Sequence, residues 1–221
     1  MNDLILIFPE IFLSLSIMLI LMIGVFFKNK ENFVYQSSLL VLLITLILII
    51  NNNYSENLYL FNDTYKIDLL SRIMKCLTVI SAFFIILSSH DYIKTIGINK
   101  IEYPTLILSS ILGMMVMISA YDLMVFYIGL ELQSLSLYVL ASFNRNNKNS
   151  SEAGLKYFVL SALSSGLLLY GCSLIYGFTN STKFAEIAVS LDISNFGSIF
   201  GIVFIIVGLA FKVSAVPFHM W

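Results

Sequence analysis

Apolar runs as long as a membrane-spanning helix recur along the chain, separated by short polar stretches. A helix needs about 20 apolar residues to cross the hydrocarbon core of a bilayer. By this criterion the sequence predicts seven spans, at residues 11–27, 33–50, 68–89, 104–120, 123–143, 155–178 and 196–216. Because unpaired backbone groups cannot sit in lipid, each span is expected to be helical. We therefore predict an all-α polytopic membrane helix bundle that forms a single domain over residues 1–221.

Composition agrees with the pattern of spans. Apolar residues make up 59% of the chain and charged residues 11%, against roughly 25% charged in an average soluble domain. The net charge of -1 lacks the basic footprint that a nucleic-acid-binding protein needs, so we expect no nucleic-acid partner. Cys76 and Cys172 stand alone in apolar runs, which predicts packed small side chains and neither a disulfide nor a metal site.

The basic residues between the spans predict an orientation. Lys and Arg are enriched in loops on the cytoplasmic or matrix side of a membrane. With seven spans, one side collects six basic residues and the other side three. The larger group is Lys28, Lys30, Lys94, Lys100, Arg145 and Lys148; the smaller is Lys66, Arg72 and Lys183. The N-terminus is therefore expected outside and the last span is expected to end inside.

Glu131 is a carboxylic acid near the middle of the fifth span. At helical spacing, Tyr127, Glu131, Ser134 and Tyr138 form one polar stripe, which should face protein or water. Carboxylates inside a membrane are costly and commonly functional. Glu131 is therefore a candidate proton-transfer group, and the alternative is a protonated packing residue bonded to a neighbouring helix.

Lys156 lies near the start of the sixth span, four residues after Glu152. Two interpretations stay open at this point: a proton relay inside the membrane, or a surface ion pair with a lysine that reaches toward water. The cluster Ser161, Ser164 and Ser165 that follows is interpreted as a small-residue packing surface for another helix.

Lys212 follows a long uncharged stretch in the last span and is the sharpest single feature of the chain. Pro217 removes a backbone donor, so the helix is expected to break near Val213. A lysine beside a broken helix can reach freed carbonyls and water. His219 would share its stripe if the helix resumed, and it can titrate near neutral pH. Both are candidate proton-transfer residues, with a purely structural histidine as the alternative.

Two further charged groups lie at the membrane boundary. Lys75, one turn after Arg72, is expected to pair with Asp68 in a structural role. Glu10 follows Pro9 at the head of the first span and is expected to stabilise the positive end of that helix.

Three strings of residues resemble a known family. They begin at Tyr127 (YIGLELQSLSLYVL), at Glu152 (EAGLKYFVLSALSSG) and at Gly208 (GLAFKVSAVPFHMW). They closely resemble the subunit 2 family of NADH dehydrogenase in respiratory complex I, particularly its mitochondrial forms. The match is specific from about residue 103 to residue 221, and the first hundred residues agree mainly in pattern.

The resemblance implies an antiporter-like subunit in the membrane arm of a proton-pumping NADH:ubiquinone oxidoreductase of the mitochondrial inner membrane, with its N-terminus in the intermembrane space. It implies that Glu131 and Lys212 form the charge pair that gates proton transfer, and that Lys156 bridges inside the subunit. No haem, flavin, nucleotide or iron–sulfur motif appears in the chain. NADH, FMN, iron–sulfur clusters and ubiquinone are therefore expected in other subunits, with no cofactor and no metal in this chain.

Members of that family continue past the position of Trp221 with about as many helices again. We therefore expect a second chain that carries the remaining helices of a split subunit, or else a truncated chain. The other expected partners are membrane-arm subunits of complex I and membrane lipids. Two alternative functions remain: a subunit of a multi-subunit cation/proton antiporter, and a non-pumping assembly subunit.

Overall fold

A computed structural model describes residues 2–26, 31–52, 58–96, 100–192 and 195–218 of the chain. These residues form helices joined by short connections and one hairpin. In chain order the elements are α1 (Asn2–Leu6), α2 (Phe8–Phe26), α3 (Glu31–Asn51), β1 (Leu58–Leu60), β2 (Tyr65–Ile67), α4 (Leu69–Ile96), α5 (Glu102–Ser119), α6 (Leu123–Ala141), α7 (Lys148–Thr179), α8 (Phe184–Ser190) and α9 (Phe196–Lys212).

The long helices confirm the predicted membrane helix bundle. Six of them, α2 to α7, are long and apolar enough to cross a membrane, and α9 is a shorter apolar helix of 17 residues. Helices α4 and α7 are longer than the predicted spans, which began or ended where charged residues start. Because a helix can continue beyond the lipid boundary, the polar residues at these ends stay helical. That residues 1–221 form one domain stays a prediction.

A two-stranded antiparallel hairpin, which the sequence analysis did not predict, connects α3 to α4. Leu58 pairs with Ile67 and Leu60 with Tyr65. Phe61, Asn62 and Asp63 adopt positive φ angles between 50° and 64° and reverse the chain direction. Strands of three residues are too short to show an alternating pattern. We call this end of the bundle the hairpin end.

Two other connections join the hairpin in what we call the strand layer, made of residues 58–67, 120–123 and 182–184. Single bridges link Tyr65 to Ala120 and Asp122 to Lys183. The Tyr121 N–H donates to the Thr64 carbonyl at 2.9 Å, and the Leu123 N–H donates to the Thr182 carbonyl at 2.9 Å. These bonds satisfy backbone groups just outside the spans.

Two apolar cores lie behind the strand layer. The first fills the space between α2, α3, α4 and α5, with Leu13, Leu42, Val79, Ile86, Leu108 and Met115 among its buried members. The second lies against α6, α7 and α8, with Leu123, Leu168, Cys172, Ile175 and Ile187 buried. Helices α5 and α6 cross closely at Gly113. A Cβ added to this glycine would lie only 2.5 Å from the backbone nitrogen of Gln133. Small residues at such crossings let membrane helices touch through their backbones.

Helix α9 ends where the sequence predicted a break. Lys212 is its last residue, Val213 is the C-cap, and Ser214 has a positive φ of 55°. Pro217 cannot donate the backbone bond that a continuing helix would need. His219 lies outside the described residues.

Candidate functional site

Glu131 and Lys212 form an ion pair between α6 and α9. The Lys212 Nζ lies 2.7 Å from Glu131 Oε1. The side chains are 21% exposed for Glu131 and 11% exposed for Lys212. The two residues are 81 positions apart in sequence, so the pairing depends on helix packing. The structure therefore brings together the two residues for which the resemblance implied a charge pair.

Two serine hydroxyls contact this pair. Ser165 of α7 donates to Glu131 Oε1 at 2.5 Å. The Lys212 ammonium also donates to the Ser134 hydroxyl at 3.2 Å. Ser165 belongs to the serine cluster that was interpreted as packing surface only. Its contact with Glu131 is a correction, because the hydroxyl of this buried residue binds the carboxylate of another helix as well as the Ser161 carbonyl of its own.

The polar stripe of α6 faces protein, as its spacing indicated. The Tyr138 hydroxyl donates to Ser161 of α7 at 2.5 Å, and Tyr138 is buried. Tyr127 packs against the second core. Neighbouring helices thus cover this face of α6, and the carboxylate of Glu131 contacts side chains of α7 and α9.

The arrangement can exchange protons when its geometry changes. An ammonium and a carboxylate in contact stabilise each other's charged forms, and the attraction grows as the surroundings become less polar. Moving the groups apart removes that stabilisation, so one group can release or take up a proton. Lys212 is the last residue of α9, so the backbone changes direction directly after the residue that carries the ammonium.

Lys156 takes a different position. Its Nζ pairs with Glu152 Oε1 at 2.6 Å, and both side chains are more than half exposed, at 57% and 62%. Lys156 precedes Ser165 by nine residues, which places it about 14 Å away along α7 and on about the opposite face. In the described part of the chain, its contacts are those of the surface pair that the sequence left as one interpretation. Its role as a relay stays a prediction.

A second ion pair, which is buried, was missed by the sequence analysis. Lys75 Nζ lies 2.6 Å from Glu10 Oε1, and both side chains are only 6% exposed. The Tyr65 hydroxyl donates to the same Glu10 oxygen at 2.8 Å. The expected pairing of Lys75 with Asp68 is therefore wrong. Asp68 instead pairs with Lys66 at 3.0 Å and accepts the Ser71 N–H at the start of α4.

The surroundings of Tyr65 fix the direction of its bond. Burial, followed by the nearby Glu10 carboxylate, raises the pKa of Tyr65 well above its ordinary value. The phenol therefore keeps its proton at neutral pH and donates to Glu10. The predicted topology starts the first and third spans at the same end of the bundle, which places Glu10 and Lys75 toward that end but does not indicate that they pair.

Among the residues described in the structure, no three His, Cys, Asp or Glu side chains come together in a way that could hold a metal ion.

The C-terminal part of the chain matches a known protein family. Residues 120–221 match the family described as NADH:quinone oxidoreductase/Mrp antiporter, transmembrane. This segment contains Glu131, Lys156 and Lys212. The matched segment begins in the strand layer and includes all of α6, α7, α8 and α9.

Curated relatives match the chain along almost its whole length. NADH-quinone oxidoreductase subunit N of Pelagibacter ubique is 63% identical over 221 residues, covering 100% of this chain and 47% of that protein. Subunit N of Parvibaculum lavamentivorans is 50% identical over 218 residues, covering 96% of this chain and 44% of that protein. These homologues of the chain are bacterial subunits N of NADH-quinone oxidoreductase. The chain spans about half the length of these subunit N relatives and matches their N-terminal half.

Solved structures share the fold. A chain of respiratory complex I from Thermus thermophilus with bound aureothin has a TM-score of 0.78 and 26% identity, covering 96% of this chain and 45% of that chain. A chain of the Mrp complex from Dietzia sp. has a TM-score of 0.79 and 19% identity, covering 99% of this chain and 42% of that one; that likeness concerns the fold alone. The antiporter-like part of the sequence resemblance is thus supported. Its mitochondrial part is not, because the relatives are bacterial.

Proposed function

We propose that the chain is part of an antiporter-like membrane-arm subunit of a proton-translocating NADH-quinone oxidoreductase. The observation that carries the proposal is the ion pair of Glu131 and Lys212, at 2.7 Å between membrane helices. The identity of 63% with a bacterial subunit N supports the same function. In this proposal the pair is part of a proton path, and protons move when the two charges separate and rejoin.

The remaining site residues have proposed roles of different kinds. Ser165 and Ser134 hold the carboxylate and the ammonium in position through the bonds described above. Lys156 is proposed to relay protons toward water, and its exposed position suits an exchange with groups outside the described residues. His219 is proposed to continue the path beyond the end of α9.

The proposal assigns electron transfer to other subunits. NADH, FMN, iron–sulfur clusters and the quinone are proposed to bind there, and this chain is proposed to bind no cofactor. Its proposed partners are other membrane-arm subunits and membrane lipids. The prediction that a separate second chain carries the remaining helices stays a prediction.

We further propose a bacterial cytoplasmic membrane as the location, with the hairpin end outside. The bacterial relatives support this location over the predicted mitochondrial inner membrane. Among the described cations, Lys94, Lys100, Arg145 and Lys148 lie at the end opposite the hairpin, which the positive-inside tendency places in the cytoplasm. Lys28 and Lys30, which also entered the prediction, lie outside the described residues.

The test is to neutralise each member of the pair within the assembled complex. Glu131→Gln and Lys212→Met are expected to lower quinone-linked NADH oxidation and proton uptake into membrane vesicles by about tenfold or more, because each variant removes a charge that the proton path needs. Both rates are measured per assembled complex, which is quantified on native gels.

Matched controls remove the same charges at the hairpin end. Glu186→Gln and Lys66→Met change residues on α8 and β2, outside the spans, and are expected to leave both rates close to those of the unchanged protein. Normal coupled turnover in Glu131→Gln and Lys212→Met would overturn the proton-path role.

A chain that purifies with antiporter subunits and no NADH-oxidising arm would overturn the respiratory function.

A further inference from the structure

A cavity opens beside the C-terminal end of α6, at the end of the bundle opposite the hairpin. Its volume is about 290 Å³. Apolar side chains of α2, α5 and α6 and of the residues that follow α6 line much of its wall, beside Thr105, Ser109 and Ser142. The apolar side chains are those of Ile17, Leu21, Leu106, Val139 and Phe143. The cavity therefore presents an apolar surface at a depth where the spans approach the membrane boundary.

A second cavity, which is shallow and more open than the first, lies on the other side of the same helix end. Its volume is about 430 Å³, and Leu155 and Phe158 of α7 contribute apolar wall. Val139, Ser142 and Arg145 line both cavities. The two cavities therefore flank one helix end and meet at one arginine.

Two cations edge the first cavity. Lys100 and Arg145 line it together with Glu102, and all three side chains are exposed. The sum of one lysine, one arginine and one carboxylate is a net charge of +1 at this rim. Neither Lys100 nor Arg145 forms an ion pair with another residue in the described ranges. By contrast, Lys66 and Lys183 at the hairpin end are both paired with carboxylates.

We propose that this helix end binds one anionic diacyl phospholipid. The phosphate lies against Arg145 and Lys100, and one acyl chain enters each of the two cavities that flank α6. A guanidinium matches a phosphate with two parallel hydrogen bonds, and basic residues near a membrane surface attract anionic headgroups. The proposal concerns a ligand site and does not depend on proton transfer by Glu131.

The shape of the site favours a lipid over a soluble phosphate compound. A free phosphate would use only the exposed rim, where water screens its attraction to both cations. The acyl chains of a lipid also cover the apolar side chains of both cavities and so shield them from water at the membrane boundary. The shared lining by Val139 and Arg145 suits a ligand that has one charged group and two apolar chains.

The test measures lipid retained by the full chain after extraction from its native membrane with the subunits that stay bound. The protein is exchanged into mild detergent with phosphatidylglycerol or phosphatidylcholine and examined by native mass spectrometry. The double variant Lys100→Gln/Arg145→Gln is expected to retain ~30-fold less phosphatidylglycerol, because each basic residue near the surface contributes about fivefold to binding of an anionic lipid.

A matched double variant removes two other cations from the same end. Lys94→Gln/Lys148→Gln changes the net charge equally, and neither residue lines either cavity. It is expected to retain phosphatidylglycerol within about twofold of the unchanged protein, because neither ammonium contacts the phosphate in the proposed site and salt screens the attraction of more distant exposed charges. Equal loss in the two double variants would overturn the site, because it would show attraction by net charge alone.

The apolar walls have their own test. Val139→Trp fills space in both cavities and is expected to lower phosphatidylglycerol retention, whereas Leu135→Trp, one turn earlier on α6 and lining neither cavity, is not. Equal retention of phosphatidylcholine, displacement by glycerol phosphate at the same concentration, or no bound lipid in the unchanged protein would each overturn the proposal.

Discussion

Two lysine–glutamate ion pairs between helices have the same chemistry and different surroundings: the pair of Lys212 and Glu131 is partly buried, and the pair of Lys75 and Glu10 is buried. In both, a lysine ammonium donates to one oxygen of a glutamate, at 2.7 Å for Lys212 with Glu131 and at 2.6 Å for Lys75 with Glu10. The Glu131 side chain is 21% exposed, whereas that of Glu10 is 6% exposed. The first pair joins the end of one helix to the middle of another. The second joins the first turn of α2 and the second turn of α4 to the hairpin.

This difference separates a pair that can change partners from a pair that holds elements together. Lys212 is the last residue of α9, and Ser134 offers its ammonium a second partner. Lys75 is enclosed by Glu10 and by the Tyr65 hydroxyl, which also binds Glu10. A closed triangle of bonds between α2, α4 and β2 resists rearrangement. We infer that the second pair stabilises the fold and the first serves exchange.

The largest expected effect comes from breaking the enclosed pair. Lys75→Met leaves the Glu10 carboxylate buried without its counter-ion, and removing one partner of a buried pair costs about 3–5 kcal/mol. The amount of folded chain in membranes and the thermal unfolding midpoint in detergent should both fall. Turnover per assembled complex should stay near that of the unchanged protein.

Lys212→Met should show the reverse behaviour, with assembly retained and turnover lost. The double variant Glu10→Gln/Lys75→Met should recover part of the stability, because no unpaired charge remains. If Lys75→Met assembled normally and lost only turnover, the structural role of the second pair would be wrong.

A smaller effect is expected from Ser165→Ala, which removes one hydrogen bond to Glu131. Since one such bond is worth about 1 kcal/mol, proton translocation per assembled complex should fall by roughly fivefold. The control is Ser164→Ala, a buried neighbour whose hydroxyl bonds to the Ser161 carbonyl of its own helix. Equal rates in the two variants would remove Ser165 from the site.

Tyr65→Phe should destabilise the hairpin end by about 1 kcal/mol, because it removes the hydroxyl that donates to Glu10 and keeps the ring. The thermal midpoint of the assembled chain measures this loss. Tyr59→Phe is the matched change on β1, where the side chain is 46% exposed. A midpoint that falls equally in both variants would contradict a specific role for the Tyr65 hydroxyl.

The smallest effect concerns Asp68 at the start of α4. Burial raises the pKa of Asp68, but the Ser71 N–H and the Lys66 ammonium outweigh burial, so that this pKa lies below its ordinary value. A lowered pKa in the folded state gives stability that is present above the unfolded pKa and is lost as pH falls through the folded pKa. Asp68→Asn should therefore lose less stability on acidification than the unchanged protein, as thermal midpoints measured from neutral to acid pH would show. An identical acid dependence in both would contradict the Asp68 contribution.

The positions of the membrane-spanning helices were predictable from the sequence, because lipid imposes a length and a composition on each helix. Glu131 and Lys212 stood out because each interrupts an apolar run, so their cost in a membrane is visible in the sequence. Ser165 carried no such signal, because a serine serves equally well in close helix packing. The bond between Lys75 and Glu10 joins residues 65 positions apart, and local patterns do not encode such contacts. Asp68 lay nearer in sequence and was chosen wrongly for that reason.

The strand layer has a consequence for the order in which the chain is built into the membrane. The Leu123 N–H finds its acceptor at Thr182, and the Thr182 hydroxyl donates to Asp122. Those partners are synthesised only after α6 and α7. Until translation passes residue 184, the hairpin end of the earlier helices therefore lacks these bonds. We infer that the strand layer closes late in biogenesis, after α6 and α7 have been synthesised.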